Sequence, residues 1–249
     1  DACQFQGTEQ MTGQQEIEFS IEQVAVHFGG LVAIADMTFS VRAGEIVGLI
    51  GPNGAGKTTA FNVITGFLAQ TSGNVRYRST LLNGLKPHEV AQLGLVRTFQ
   101  RTSVFQELDV FQNVLTGLHT HGRSTLWETL LRTGREIASE KELTDAAHEI
   151  LNFVGLEQRA YEQAGTLPYG EQRLLGVAMA LAVKPSMLLL DEPVSGMNPS
   201  ETARFVKLVE KIRASGVTIL LVEHDMPMVM EVCDRIVVLN YGRIIAEGS

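Results

Sequence analysis

The chain has 249 residues, 45% hydrophobic and 19% charged, a composition that supports one well-buried domain, with or without a sizeable insertion, and excludes a disordered protein. Its formal net charge of −8 argues against broad nucleic-acid binding, which needs basic surface to displace counterions. Cys3 and Cys233 are the only cysteines, which excludes a disulfide framework or zinc spacing and leaves two free thiols in a reducing compartment as the expectation.

Asp1–Glu16 is polar, Gln-rich and aperiodic, and does not resemble a signal peptide. Met11 is a candidate start, which would leave Asp1–Gln10 as a processing remnant. Ile17, Phe19 and Ile21, then Val24 and Val26, alternate and predict a strand. Phe28-Gly29-Gly30 turns the chain into a second strand over Ala33–Val41. Phe28 offers a π-face to a planar ring, but the residues alone favour ordinary core packing for it. Glu45–Ile50 predicts a short buried strand and Thr59–Phe67 a helix.

Between that strand and helix lies Gly51-Pro52-Asn53-Gly54-Ala55-Gly56-Lys57-Thr58-Thr59. It matches G-x-x-x-x-G-K-[ST], and strand before and helix after are the context that this phosphate loop requires. A triphosphate needs many backbone N–H groups turned inward. Gly51, Gly54 and Gly56 let the backbone take positive φ and approach phosphates closely. The helix start favours the same anion. Lys57 can reach the β- and γ-phosphates, and Thr58 offers its hydroxyl to Mg²⁺.

Further along, Gly73 and Val75–Tyr77 predict a strand of an antiparallel edge, Pro87–Leu93 a short helix with Pro at an early position, and Leu95–Phe99 a strand ending at Gln100. Past Gln100 the character changes. Val110–Leu118, Leu126–Arg132 and Leu143–Val154 carry helical spacing, predicting a helical insertion from about Arg101 to about Gly165 within an α/β frame. The α/β pattern resumes with a helix over Glu171–Val183. The longest apolar run, Leu174–Val183, is far short of the ~20 residues that span a bilayer. Met187–Asp191 reads as a buried strand, and Asn198-Pro199 caps a helix running to Ser215. Thr218–Val222 predicts a strand, Pro227–Cys233 a helix, and Ile236–Asn240 and Arg243–Ala246 two strands about the Tyr241-Gly242 turn.

Four apolar residues followed by Asp191-Glu192 form a second nucleotide signature. The strand carries Asp191 to its C-terminal end, where open α/β sheets bind ligands and a carboxylate can hold Mg²⁺ through its water. Glu192, one residue on, is placed to polarise a water for attack on a γ-phosphate. His224 follows another apolar strand and can hold that water, or be structural. Gln100 has the same ambiguity: a strand-end amide ligates Mg²⁺ and water, or faces solvent.

Together these elements resemble an ABC-type ATPase subunit, over Ile17–Ser249. The resemblance implies an α/β fold with a P-loop NTPase core, an antiparallel β edge subdomain and an inserted helical subdomain at about 101–165. It makes 17–249 a single ABC ATPase domain behind a leader of 1–16. It implies that Phe28 stacks on adenine, that Gly51–Thr59 is the Walker A loop, that Gln100 is the Q-loop residue, that Asp191 and Glu192 are the Walker B acid and catalytic glutamate, and that His224 is the switch histidine. Arg97-Thr98-Phe99-Gln100, Leu167–Arg173, Asn198–Glu201 and Val222–Met226 narrow the resemblance to ATP-binding subunits of branched-chain amino acid importers. Importers of urea and short amides share much of this wording.

Two departures from the family pattern stand out. The usual L-S-G-G-Q signature reads Leu167-Pro168-Tyr169-Gly170-Glu171, and Pro168 has neither hydroxyl nor N–H. The N–H groups of Tyr169, Gly170 and Glu171 at a helix start remain to meet a γ-phosphate on a partner subunit. The D-loop reads Ser195-Gly196-Met197-Asn198, with an amide where a carboxylate is usual. The short tail that relatives carry after Glu247-Gly248 is also absent, which suggests a truncated or disordered C-terminus.

The resemblance further implies ATP and Mg²⁺ as cofactors and a second ATPase subunit paired head to tail, identical or not. It implies membrane permease subunits docked on the helical insertion, an indirect solute-binding protein, no nucleic acid, and a peripheral place on the cytoplasmic side of the inner membrane. Val104, Phe105, Leu108 and Phe111 are candidates for the docking groove, with a core role equally open. Two rival readings are a soluble ABC-type ATPase acting on DNA or translation, and a regulatory module that binds ATP without turnover. The chain has neither the heptads nor the repeat of the first, and Glu192 and His224 stand against the second.

Overall fold

The alternation at Ile17–Val26 becomes a 12-residue strand, β1 (Ile17–Phe28), paired antiparallel with β2 (Leu31–Arg42). The computed structural model describes residues 16–98, 104–118 and 134–249. Within β1 the register shifts between Ile21 and Val24, where Gln23 takes φ 50° and its N–H donates to Thr38 Oγ1 at 2.9 Å. That bulge re-aims the strand, so Ile21 and Val24, three positions apart, both face the core. β1 also pairs antiparallel with β4 (Ser72–Tyr77), and β4 with β5 (Thr80–Leu81). β5 is too short to carry a period and was not legible beforehand.

The second half of the sheet is parallel. β3 (Ile46–Ile50) lies between β9 (Arg235–Asn240) and β8 (Thr218–Val222), and β7 (Met187–Asp191) lies between β8 and β6 (Leu95–Arg97). β10 (Arg243–Gly248) runs antiparallel to β9 and meets β2 in parallel, joining both halves in the order β5-β4-β1-β2-β10-β9-β3-β8-β7-β6. All of β7 and β8 is buried, which is why both read as continuous apolar runs rather than alternations. Leu188 and Leu190 enter the apolar cluster on one face, Met187 and Leu189 the cluster on the other.

Helices cover both faces. α1 (Lys57–Ile64) follows β3, and α2 (Pro87–Gln92) precedes β6. α3 (Val110–Leu118), α4 (Gly134–Val154) and α5 (Tyr169–Ala182) pack on one another. α6 (Pro199–Ala214) begins with Asn198 accepting from the N–H groups of Ser200 and Glu201, while Glu201 accepts from Asn198 N, a complete capping box. α7 (Met226–Val232) precedes β9. The expected helix over Leu126–Arg132 lies outside the described residues. α1 and α5 each start two residues earlier than expected and α4 starts at Gly134; a helix's polar first turn carries no apolar period to announce it.

Cys233 is a partly buried free thiol whose pKa burial and the neighbouring Asp234 push up to about 12, so it stays protonated; Cys3 lies outside the described residues.

At the amino ends of the parallel strands Glu45 is 7% exposed. Its carboxylate accepts from Arg42 N at 2.8 Å and Arg235 Nε at 2.8 Å. Burial alone would raise its pKa, but the Arg235 side-chain hydrogen bond, the Arg42 N–H and the charges of both arginines outweigh it, and the pKa falls below 4.5. A depressed carboxylate contributes stability that is present above its unfolded pKa and lost as pH falls through the folded one. Thermal melts of wild type and Glu45→Gln will therefore differ most at about pH 6 and converge towards about pH 3. A constant difference across that range contradicts the pairing.

Candidate nucleotide-binding site

The parallel register brings three strand ends together. Leu49 lies beside Val222, and Asp191 beside Val222 on the other side. The loops after β3, β7 and β8 therefore leave the sheet at neighbouring points on its carboxyl edge, where ligands of open α/β sheets bind.

After β3 the backbone takes φ 155° at Gly51, 80° at Gly54 and 109° at Gly56. A Cβ on Gly51 would lie 2.0 Å from Leu239 O, so β9 excludes any side chain there. Gly56 is the N-cap of α1; it supplies no side-chain cap, and the first turn holds no acidic residue. The first N–H groups of α1 thus lack the usual side-chain acceptor, which suits them to an anion. Lys57, 7% exposed, donates Nζ to Gly51 O at 2.7 Å and Pro52 O at 3.1 Å. Its ammonium is held over the loop. Ala55 is buried, whereas Pro52, Asn53, Gly54 and Thr58 are exposed and Thr59 is half-buried.

Phe28 departs from the core-packing expectation: it ends β1 with 49% of its surface exposed, beside exposed Leu31 and Val32. The hairpin tip adjoins the phosphate loop, because an added Cβ on Gly56 would lie 2.8 Å from Ala33 O. An exposed aromatic at that rim is available to a base.

Asp191 ends β7 only 2% exposed and accepts from Arg97 Nη2 at 2.6 Å. Arg97 Nη1 donates to Asn62 Oδ1 of α1 at 2.8 Å, and its guanidinium lies 5.4 Å from the Phe61 ring centre. Glu192 takes φ 46° and donates its N–H to Val222 O at 2.8 Å. A left-handed conformation at a non-glycine residue costs on the order of 1–3 kcal/mol and concentrates at functional sites. His224 is 62% exposed, its Nδ1 4.0 Å from Glu192 Oε1, too far for a direct hydrogen bond but within reach of a shared water. Between them sits Glu223, fully buried, accepting from the N–H groups of Val194 (3.0 Å), His224 (2.9 Å) and Asp225 (3.3 Å). That carboxylate staples the loop after β7 to the loop after β8. Sequence reasoning did not single it out; an acid directly after the four apolar residues Ile219–Val222 was the available signal.

Tyr169, Gly170 and Glu171 open α5, with Pro168 as a cap that offers no side-chain acceptor. They pack against the start of α6: a Cβ on Gly170 would meet Glu201 Oε1 at 2.8 Å. Arg173 donates Nε to Tyr169 OH at 3.0 Å with its guanidinium 5.0 Å from the ring centre. Glu171 pairs with Arg159 at 3.4 Å. Among the described residues no hydrogen bond joins Tyr169–Glu171 to Gly51–Thr59. Gln100 lies outside the described residues.

A glycine-rich loop between strand and helix, with acids at the end of the parallel strand next but one, defines a P-loop nucleotide-binding protein. Residues 34–195 match the ABC transporter family, and the chain belongs to it. The chain is 41% identical over 231 residues, 92% of its own length and 91% of the relative's, to the high-affinity branched-chain amino acid transport ATP-binding protein LivG of Salmonella typhimurium. It is 40% identical to the corresponding BraF protein of Pseudomonas aeruginosa, over 92% of this chain and 90% of that one. The solved ADP conformation of MJ1267, an ATP-binding cassette of an ABC transporter, superposes with TM-score 0.81 at 32% identity, covering 94% of this chain and 91% of that one.

Proposed function

We propose that this chain is the ATP-hydrolysing subunit of an ABC importer that takes up branched-chain amino acids or a related small polar solute. The observation that carries the reading is the convergence at one sheet edge of the Gly51–Thr59 loop, Asp191, the left-handed Glu192 and His224. The solute comes from the named relatives, LivG and BraF.

Phe28 stacks on adenine, and Gly51–Thr59 wraps the phosphates with Lys57 on the β- and γ-groups. The Thr58 hydroxyl and the Asp191 carboxylate are hard oxygen donors of the kind Mg²⁺ takes alongside phosphates and waters, and Gln100 joins them. Mg²⁺ would neutralise charge on the β- and γ-oxygens. Glu192 orients and deprotonates the attacking water, and His224 holds it by hydrogen bond.

A second cassette, identical or not, closes the site head to tail, its Tyr169, Gly170 and Glu171 N–H groups meeting the γ-phosphate. Loss of that phosphate removes contacts made in only one of two states, which is what lets a ligand drive a conformational change. Residues 17–249 act as one ABC ATPase domain, with the helical unit at about 101–165 as the lever. In support, α3 and α4 pack on α5. Of the docking candidates, Val104 is buried, Phe111 packs on His148 at 5.0 Å between ring centres, and Leu108 is half-buried. Phe105 is 53% exposed and lines a cavity of about 240 Å³ with Met179, Ala180 and Val183, a cavity that Arg97 and Asp191 also line; its exposure supports it, among the four, as the contact for a permease segment.

Among the described residues no helix is long and apolar enough to cross a membrane. The chain is held peripherally, on the cytoplasmic side, by permease subunits that receive solute from a binding protein. Co-purification with permease subunits, followed by uptake of labelled leucine into proteoliposomes holding the assembled complex, tests this. Uptake that requires internal ATP is expected. A chain that recovers no permease and supports no uptake contradicts the proposal.

A further inference from the structure

We propose that Arg97 is the resident counter-ion of Asp191, a positioning residue that occupies the carboxylate when metal is absent and thereby sets how strongly nucleotide binding depends on Mg²⁺. The inference rests on the nucleotide-site reading given above.

The pair is buried at both ends, with side chains 9% and 2% exposed. An ionised carboxylate at that depth is not tolerated without a cation or several donors. Lys57 does not serve, because its Nζ is turned to Gly51 O and Pro52 O. Arg97 does, with Nη2 2.6 Å from Asp191 Oδ2. The guanidinium is fixed from two further directions, by Nη1 on Asn62 Oδ1 at 2.8 Å and by its face over Phe61. Asn62 and Phe61 belong to α1, the helix whose first turn carries Lys57 and Thr58. A single side chain from β6 therefore ties the acid at the end of β7 to the helix of the phosphate loop.

Anchored in this way, Arg97 cannot move far when a second cation approaches. Mg²⁺ must share the carboxylate with a fixed positive charge, which opposes it directly and holds one of the two oxygens. The folded chain is consequently stable without metal, and the metal adds correspondingly less to nucleotide affinity. With the charge at position 97 removed, Mg²⁺ becomes the cation that Asp191 depends on, and metal and nucleotide couple more strongly.

Isothermal titration with ADP, in excess Mg²⁺ and in excess EDTA, reads this coupling as the ratio of the two Kd values. For Arg97→Gln the ratio is expected to exceed the wild-type ratio by at least about fivefold, the lower end of ordinary site–site couplings. Arg97→Lys, which keeps the charge but loses the fork to Asn62 and the face over Phe61, is expected to fall between wild type and Arg97→Gln. A residue that merely packs the core would weaken both affinities together and leave the ratio alone. An Arg97→Gln ratio equal to the wild-type one overturns the proposal while the nucleotide site stands. Wild-type protein that binds no ADP under either condition overturns the site reading and this inference with it. Should Arg97→Gln not fold, Asn62→Ala keeps the charge but frees the guanidinium; a smaller rise in the same ratio is expected, and an unchanged ratio overturns the proposal.

Discussion

Glu192→Gln will lose ATP turnover by about 10²- to 10⁴-fold, the contribution of a positioned general base, while nucleotide still binds. The substitution is isosteric and leaves in place the backbone that sets the site: φ 46° and the N–H bond to Val222 O at 2.8 Å. What changes is chemistry alone, because an amide cannot accept the proton of the attacking water. Glu223, the buried carboxylate that fixes both loops through three N–H groups, is untouched. Phosphate release and calorimetric nucleotide binding measured on the same preparation check the prediction. Equal release rates in wild type and variant would end the enzymatic reading and leave a module that binds ATP without using it.

Lys57→Ala will cost nucleotide affinity as well as turnover, because the γ-phosphate that Lys57 reaches is the group transferred. A hydrogen bond to a charged group is worth about 1.5–3 kcal/mol, so Kd should rise by about 10- to 150-fold. In the nucleotide-free chain Nζ is held by Gly51 O and Pro52 O; phosphate oxygens replace or join those carbonyls when nucleotide binds. Arginine should not rescue, because its planar fork does not substitute for a compact ammonium in a pocket 7% exposed. Titration of the three proteins with a nucleotide decides it, and unchanged affinity in Lys57→Ala would move the phosphates away from this loop.

Much of this architecture was legible in the residues because chemistry restricts the choice of residue. A phosphate loop must have glycines where φ is positive and a lysine at its helix start, so Gly51–Thr59 was plain. The buried parallel strands announced themselves as apolar runs, and β8 and α3 fell at the expected positions. What escaped notice depends on neighbours distant in the chain. Phe28 is apolar, and only the bulges of β1 and the hairpin tip reveal that it faces outward. Arg97 and Asp191 are 94 positions apart, and their pairing follows from β6 lying beside β7, which no local pattern states. Glu223 looked like a flanking acid because its three donors come from two different loops. The part proposed for Tyr169-Gly170-Glu171 came with the family resemblance instead, because it involves a second chain and no pattern within one sequence states it.

The most direct measurement is the solution mass of Glu192→Gln, by light scattering, with its partner cassette present if that is a different chain. If one terminal phosphoryl group is gripped from both sides, excess Mg–ATP should double the mass and Mg–ADP should leave it single. A mass that stays single in saturating Mg–ATP would contradict the shared site, and with it the mechanism proposed for uptake.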